Sequence, residues 1–281
     1  MHSIQLSEMF NEINKDWMDK YEITYQKYKP QWDFHYQSVR RFLKSCISDQ
    51  IKTLGFIGVT SKIPEIDFDI LNKINEITLL DIYEEGMLEA KEHLKSTFGY
   101  ENVHLKILDV TLGFVDSIVT SFQEYNNKRL NEEELFHKLE SPGYTYKEYK
   151  GQTYDCVLHM GLMDYYFMPL FTQYCQKFMH KNTEFFKLMK KLNDQAVKIS
   201  LQTISSMLST NGCLVLSSPV TRKPEGENCS RSLFWLQNLE VHLEDSGFAI
   251  EKESKHIWDE FPEKNGHSHG ILNVYCKKKK N

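Results

Sequence analysis

Several residue types that define fibrous, disordered or disulfide-rich chains are scarce in this sequence. The 281 residues include only 13 Gly, 7 Pro and 6 Cys, which excludes a collagen-like repeat and a proline-rich linker protein. The cysteines form no CxxC pair, so we expect neither a disulfide framework nor a metal site.

Long apolar runs and an excess of one charge are also missing. No run approaches the ~20 apolar residues that span a bilayer, and the first residues lack the apolar core of a secretory signal. Lys and Arg number 34 against 39 Asp and Glu, a net charge of −5, whereas a nucleic-acid binder needs clustered basic residues. We therefore expect a soluble, cytoplasmic protein that binds neither nucleic acid nor a membrane.

Aromatic residues, in contrast, are abundant and make up 13% of the chain. They concentrate in two places, one near the N-terminus and one around residues 165–186. The N-terminal group recurs at spacings of three and four residues, which predicts a helix over about residues 3–29 that is closed by Pro30. A second amphipathic helix is predicted over about residues 34–47. Residues 1–50 then form a helical extension, and residues 51–281 form the main domain.

From residue 52 onward, short apolar runs alternate with helical segments. This alternation predicts an α/β domain built on a parallel sheet that is covered on both faces. A long helix over about residues 182–208 is expected to stop at Asn211-Gly212. A loop over about residues 258–269 joins the last two strands without a helix, so these strands should be antiparallel. The predicted strands lie at residues 53–58, 77–81, 103–109, 154–159, 212–217, 248–256 and 270–276.

Three of the predicted strand ends carry residues that suit a nucleoside ligand. Ligands of open parallel sheets lie outside the carboxyl ends of the strands, where this chain has Gly58, Asp81 and Asp109. An acid about 20 residues past a glycine turn can accept hydrogen bonds from ribose hydroxyls. Asp109 can take an adenine amino group while Val110 packs on the ring. The alternative for each acid is that it caps the helix that follows it.

The order of these elements resembles a class I S-adenosylmethionine-dependent methyltransferase over about residues 50–280. The resemblance is carried by the segments Leu79–Ile82, Ile107–Val110, Tyr154–Leu158 and Leu208–Leu216, and by the closing strand pair. It implies a Rossmann-like, seven-stranded methyltransferase sheet, mostly parallel with an antiparallel closing strand, and S-adenosylmethionine as the cofactor. The positions expected to contact the cofactor are Gly58, Val59, Thr60, Asp81, Ile82, Asp109, Val110, His159 and Met160.

The first loop departs from the family pattern. The family usually has GxGxG here, whereas this chain has Gly58 followed by Val59, Thr60, Ser61 and Lys62. Those glycines permit positive φ and let the backbone approach the methionine moiety. The hydroxyls of Thr60 and Ser61 are candidates to replace that backbone contact.

Candidate catalytic residues follow the fourth predicted strand, at His159, Asp164 and Tyr165. A histidine has the pKa of a base near neutral pH, Asp164 can orient an amine, and Tyr165 can donate to the acceptor. The alternative is that His159 packs beside the cofactor without proton transfer and that the tyrosines form core.

The two aromatic concentrations are expected to enclose the acceptor. The candidate lid and substrate residues are Tyr25, Tyr28, Trp32, Tyr36 and Tyr166. A tyrosine of such a lid can approach the sulfonium through a cation–π contact. The group His267-Ser268-His269, with His256 nearby in sequence, is interpreted as incidental histidines of a hairpin loop.

These observations leave three hypotheses for the function. The first is methyl transfer from S-adenosylmethionine to an N or O atom of a small organic molecule. The second is a non-catalytic, methyltransferase-like binding or scaffold protein, which the glycine-poor loop favours. The third is aminocarboxypropyl transfer from the same cofactor. The sequence leaves the acceptor and the oligomeric state open.

Overall fold

The computed structural model describes residues 23–59, 62–160, 183–223, 231–232, 238–261 and 267–279. Residues 23–27 are helical. The helices that follow are α1 (Lys29–Cys46), α2 (Phe68–Leu71), α3 (Glu84–Phe98), α4 (Phe114–Asn126), α5 (Glu132–Glu140), α6 (Thr183–Met207) and α7 (Leu239–Asp245). The strands are β1 (Thr53–Ile57), β2 (Glu76–Asp81), β3 (Val103–Ile107), β4 (Tyr154–Met160), β5 (Leu208–Lys223), β6 (Arg231–Ser232), β7 (Phe248–Phe261) and β8 (His267–Lys278).

The strands form one sheet in the order β3-β2-β1-β4-β5-β8-β7, with β6 paired to β5 off this path. The first five strands of that order are mutually parallel. Strand β8 is antiparallel to both of its neighbours. The predicted α/β sheet of seven strands, with its antiparallel closing strand, is therefore confirmed, and β6 is a short addition.

Helices cover both faces of the sheet, which is why its central strands are apolar throughout. The first face packs against α1, α2 and α3 through residues such as Leu43, Ile70 and Met87. The second face packs against α6 and α7. Helices α4 and α5 form a third apolar cluster with α6. The carboxyl ends of β1 to β5 thus emerge at one edge of a sheet whose faces are closed.

A close approach across the second face explains the glycine inside β1. The ring of Tyr154 is 1% exposed and lies over Gly55, where an added Cβ would be 3.0 Å from the Tyr154 ring and 3.1 Å from Leu80. Only a residue without a Cβ allows the aromatic ring to reach the sheet at this point.

Two predicted boundaries were wrong. Helix α6 ends at Met207 and β5 begins at Leu208, so Asn211-Gly212 does not stop the helix. Instead the β4–β5 register jumps from Tyr154↔Leu208 to Cys156↔Cys213, and the intervening residues of β5 bulge. The closing hairpin is also longer than expected, because β7 continues to Phe261 and β8 already begins at His267.

The N-terminal extension packs on the same sheet as the rest of the chain. Pro30 lies in the first turn of α1, where its missing N–H has no intrahelical partner to lose. The predicted break at Pro30 is therefore a helix start, and most of the helix predicted over residues 3–29 lies outside the described residues. Helix α1 contacts β7 above all, and also β5, β8 and α2.

None of the helices in the described ranges combines the length and apolarity that a membrane span requires. The same ranges contain no group of three or more His, Cys, Asp and Glu residues placed to hold a metal ion.

Substitution of Gly55 tests the contact between β1 and the Tyr154 ring. We expect Gly55→Ala to lower the free energy of unfolding by about 1–3 kcal/mol, because the added methyl group overpacks a closed core. Urea denaturation measures the change. Gly143→Ala is the control, since an added Cβ there meets nothing within 4 Å, and an equal loss in both variants would contradict the packing argument.

Candidate functional site

The carboxylate of Asp81 joins the loops that follow β1 and β2. Its Oδ2 accepts a hydrogen bond from the Val59 N–H at 3.0 Å, and its Oδ1 accepts one from the Tyr83 N–H at 3.0 Å. Gly58, the residue before Val59, has a φ of 84°, which is the left-handed conformation that glycine adopts without steric strain. One glycine and one carboxylate thus shape the turn at the centre of the sheet edge.

Burial raises the pKa of Asp81 to about 6, and the backbone hydrogen bonds oppose that rise. The charged form is disfavoured because the carboxyl group is removed from water. A carboxylate offers about four lone-pair positions. The Val59 and Tyr83 amides occupy two of them, and the Ile82 amide also contributes a hydrogen bond. Asp81 therefore keeps acceptor capacity for hydroxyl groups at the sheet edge.

Apolar side chains hold the loop after β1 in place of the missing glycines. Val59, Ile63 and Ile66 are at most 5% exposed and belong to the core of the first face. Thr60 and Ser61, the candidate hydroxyl donors, lie outside the described residues. Glu65, in the same loop, was not identified from the sequence. Burial raises the pKa of its carboxyl group to about 7, and the positive charge of Arg40 opposes that rise.

Asp109 organises the turn between β3 and α4. Its Oδ1 accepts from the Thr111 N–H at 2.8 Å and from the Thr111 hydroxyl at 2.6 Å, and its Oδ2 accepts from the Gly113 N–H at 2.7 Å. The Thr111 Oγ1 in turn accepts from the Val115 N–H at 3.2 Å. These contacts hold the turn before α4, whose N-cap is Gly113, so Asp109 is not the helix cap that the sequence left as an alternative. One lone-pair position of its carboxylate remains.

The same turn holds a strained residue and an aromatic wall. Leu112 has a φ of 54°, an uncommon conformation for a leucine. Tyr144 donates a hydrogen bond from its hydroxyl to the Thr111 carbonyl oxygen at 3.2 Å, and its ring meets that of Phe114 edge to face at 5.3 Å. Tyr144 comes from the long β3–β4 connection, so spacing in the sequence did not place it beside Asp109.

Two further predicted cofactor positions flank these acids. Ile82, directly after Asp81, is half-buried. Val110, directly after Asp109, is 6% exposed. Both side chains lie at the ends of adjacent strands, so the structure brings together the Asp81 and Asp109 halves of the predicted site.

The end of β4 is more deeply buried than the catalytic hypothesis requires. His159 has no exposed surface and Met160 is 7% exposed. Burial lowers the pKa of His159 to about 4, so the imidazole is neutral at physiological pH. A base with so low a pKa takes up a proton only weakly, and this favours the packing role of His159 over proton transfer. Asp164, Tyr165 and Tyr166 lie outside the described residues.

The N-terminal aromatic residues form a cluster of their own. Tyr28, Trp32 and Tyr36 are at most 5% exposed, and Tyr25 and Trp258 pack against them. The Tyr25 hydroxyl donates to the Asp33 carboxylate at 2.8 Å. The cluster lies against β7, on the side of the sheet beyond β4 and β5.

Comparison with solved structures identifies the fold. Magnesium protoporphyrin IX methyltransferase (ChlM) from Synechocystis PCC 6803, with bound SAH, aligns with a TM-score of 0.50 and 11% sequence identity over 96% of this chain and 97% of that chain. The N-methyltransferase NodS from Bradyrhizobium japonicum WM9 aligns with a TM-score of 0.47 and 9% identity over 89% of this chain and 97% of that chain. No family profile and no curated protein sequence matches the chain. The fold is that of the class I S-adenosylmethionine-dependent methyltransferases.

The interactions of Asp109 predict the stability of its turn. We expect Asp109→Ala to lower the free energy of unfolding by about 2 kcal/mol, because hydrogen bonds to the carboxylate hold a turn that contains a strained leucine. Glu132→Ala, which removes the same charge from the exposed first turn of α5, should change it by less than about 0.5 kcal/mol. Urea denaturation of both variants measures this, and equal effects would remove the structural role of Asp109.

Proposed function

We propose that this chain transfers a methyl group from S-adenosylmethionine to an N or O atom of a small organic molecule. The observation that carries the proposal is Asp81, which binds the Val59 and Tyr83 amides at 3.0 Å while keeping acceptor capacity at the sheet edge. Asp81 ends β2, and open parallel sheets bind their ligands outside the carboxyl ends of their strands, which supports the proposal.

The described residues fit the cofactor. The remaining acceptor capacity of Asp81 suits the ribose hydroxyls, with Ile82 beside them. The remaining lone pair of Asp109 suits an adenine amino group, and Val110 and Tyr144 offer apolar surface for the ring. Glu65, a carboxyl beside the loop after β1, suits the ammonium group of the methionine moiety. We assign further cofactor contacts to Gly58, Val59, Thr60, His159 and Met160.

When bound, S-adenosylmethionine supplies an electrophilic methyl group on a sulfonium. The main contribution of the protein is to align the acceptor for in-line displacement and to exclude water. A neutral His159 adds no positive charge next to a sulfonium, and this suits the wall of such a site. We assign acceptor orientation to Asp164, Tyr165 and Tyr166, and closure to Tyr25, Tyr28, Trp32 and Tyr36.

Calorimetry with S-adenosylmethionine and S-adenosylhomocysteine is the direct test of this proposal. Binding of both by the folded protein supports it, and binding of neither would overturn it and favour a scaffold role. Product analysis separates the two transfers from the same cofactor. Methyl transfer releases S-adenosylhomocysteine, whereas aminocarboxypropyl transfer releases methylthioadenosine.

Substitution of Asp81 tests the proposed ribose contact. We expect Asp81→Ala to weaken cofactor binding by about 1–3 kcal/mol, because charge-assisted hydrogen bonds are lost. Calorimetry on folded protein measures the change. Asp155→Ala is the matched control, because Asp155 also accepts two amide hydrogen bonds, from Lys52 and Thr53 at 2.9 and 3.0 Å, but at the opposite edge of the sheet. Equal effects of the two substitutions on affinity would remove Asp81 from the site.

The raised pKa of Asp81 predicts that binding depends on pH. With a pKa of about 6, the carboxyl group is protonated in acid and loses its charge-assisted acceptor role. Cofactor affinity should therefore rise by up to about tenfold per pH unit as pH approaches 6 from below, and level off above it. Calorimetry from about pH 5 to pH 8 tests this. The Asp81→Asn substitution should abolish the part of the pH dependence of affinity that arises from Asp81. An unchanged profile in that variant would contradict the assignment.

A further inference from the structure

A buried imidazole on α1 and a half-buried imidazole on β7 fasten α1 to the closing hairpin. The His35 Nδ1 on α1 and the His256 Nε2 on β7 are 2.9 Å apart, and His35 is 8% exposed. The His35 ring also stacks on the Trp258 indole, with centroids 4.3 Å apart and an interplanar angle of 14°. Trp32, one turn earlier on α1, meets the same indole edge to face at 5.3 Å.

The hydrogen bond continues into the sheet. The His256 Nδ1 lies 3.2 Å from the Asn273 Nδ2, which also donates to the Ser254 Oγ at 3.1 Å. Asn273 has no exposed surface. A contact between two imidazole nitrogens requires one of them to donate and the other to accept. If both imidazoles were protonated, two N–H groups would face each other and the contact would be lost.

Helix α1 is divided between two apolar clusters. Its C-terminal half, from Val39 to Cys46, packs into the main core of the sheet. Its N-terminal half, including Trp32 and Tyr36, packs into the separate aromatic cluster on β7. The two halves of α1 therefore make their main apolar contacts with different parts of the molecule.

The surroundings of the pair favour the neutral state. Burial lowers the pKa of His35 to about 3, with smaller contributions from His256 and His269, and burial also lowers the pKa of His256. On α1, Asp33 is engaged by Lys29 and Tyr25.

The remaining charged groups near the pair give it no carboxylate partner. The Arg40 Nε donates to the Tyr36 carbonyl oxygen. On β7, Lys255 and Asp259 are exposed, and His269 faces the pair from β8. Within the described residues, no carboxylate pairs with either imidazole of the pair.

We propose that the His35–His256 pair is a pH-sensitive latch that holds the N-terminal half of α1 closed while the two imidazoles share a hydrogen bond, and that releases it as both imidazoles become protonated. The latch regulates access to the site and in that respect rests on the proposed function, in which this half-helix is a lid. His35 and His256 are positioning residues, since they act on the acceptor side only through the helix.

The sign of the effect follows from proton linkage. An exposed histidine has a pKa near 6.5, and both imidazoles have a lower pKa when the helix is docked. Release therefore takes up protons, so the docked state is fully favoured above about pH 6.5 and is lost progressively as the pH falls. The equilibrium constant for release should rise by up to about a hundredfold per pH unit when both imidazoles titrate, and about tenfold when one does.

Hydrogen exchange of the full chain without any ligand tests the latch. An undocked segment of two turns is not stable as an isolated helix, so its amides should exchange on release. The exchange rates are corrected for the intrinsic pH dependence of amide exchange. We then expect the amides in the N-terminal half of α1 to exchange faster as the pH falls from about 7.5 to about 5. His256→Gln and His35→Gln should each reduce the slope, and the double variant should remove it. His137→Gln, on the exposed face of α5, should leave the slope unchanged.

Three outcomes would overturn the proposal. They are exchange of this half-helix that does not depend on pH, a slope that survives in the double variant, and a rise that occurs only together with exchange in β1 to β4. Far-UV circular dichroism shows whether each single variant folds. If one of them does not fold, the other single variant is used for the exchange measurement. Because no cofactor is present, failure of the proposed function would appear in the calorimetry and leave this result unaffected.

Discussion

The carboxylate of Asp81 determines how the central edge of the sheet is built. Parallel strands bring their carboxyl ends to one edge but do not by themselves fix the loops that follow. Here one side chain accepts an amide from the loop after β1 and another from the loop after β2. The position of Val59, the turn at Gly58 and the start of α3 all depend on this contact. Because the group is withdrawn from water, its charge is sensitive to what binds beside it.

Asp109 serves the next strand end in the same manner, and apolar packing completes the arrangement. The family pattern of several glycines allows backbone to approach a ligand closely, whereas this loop is held by the buried side chains of Val59, Ile63 and Ile66. These side chains anchor the described parts of the loop in the core of the first face. An anchored loop with the Val59 amide bound to Asp81 is compatible with a ligand site even though the glycine pattern is absent.

The sequence predicted those features that arise from local pattern. Apolar runs located the strands, and an acid at a strand end located Asp81 and Asp109. Contacts between distant segments had no such signal: Tyr144 approaches Asp109 from the β3–β4 connection, and His35 meets His256 across most of the chain. The Asn211-Gly212 pair signalled a bend that the chain places inside a strand as a bulge, since glycine permits either.

The interface between α1 and the hairpin is unusual in using polar groups where apolar ones would fill the same space. The imidazole pair offers one hydrogen bond, and it places one titratable group in a buried position and a second in a half-buried one. An apolar pair would hold the helix at every pH. The neighbouring rings of Trp32, Tyr36 and Trp258 already supply apolar contact, so the histidines are not required for burial alone. Because of these histidines, the free energy of docking of the N-terminal half of α1 depends on pH, whereas the C-terminal half is packed in the core of the sheet.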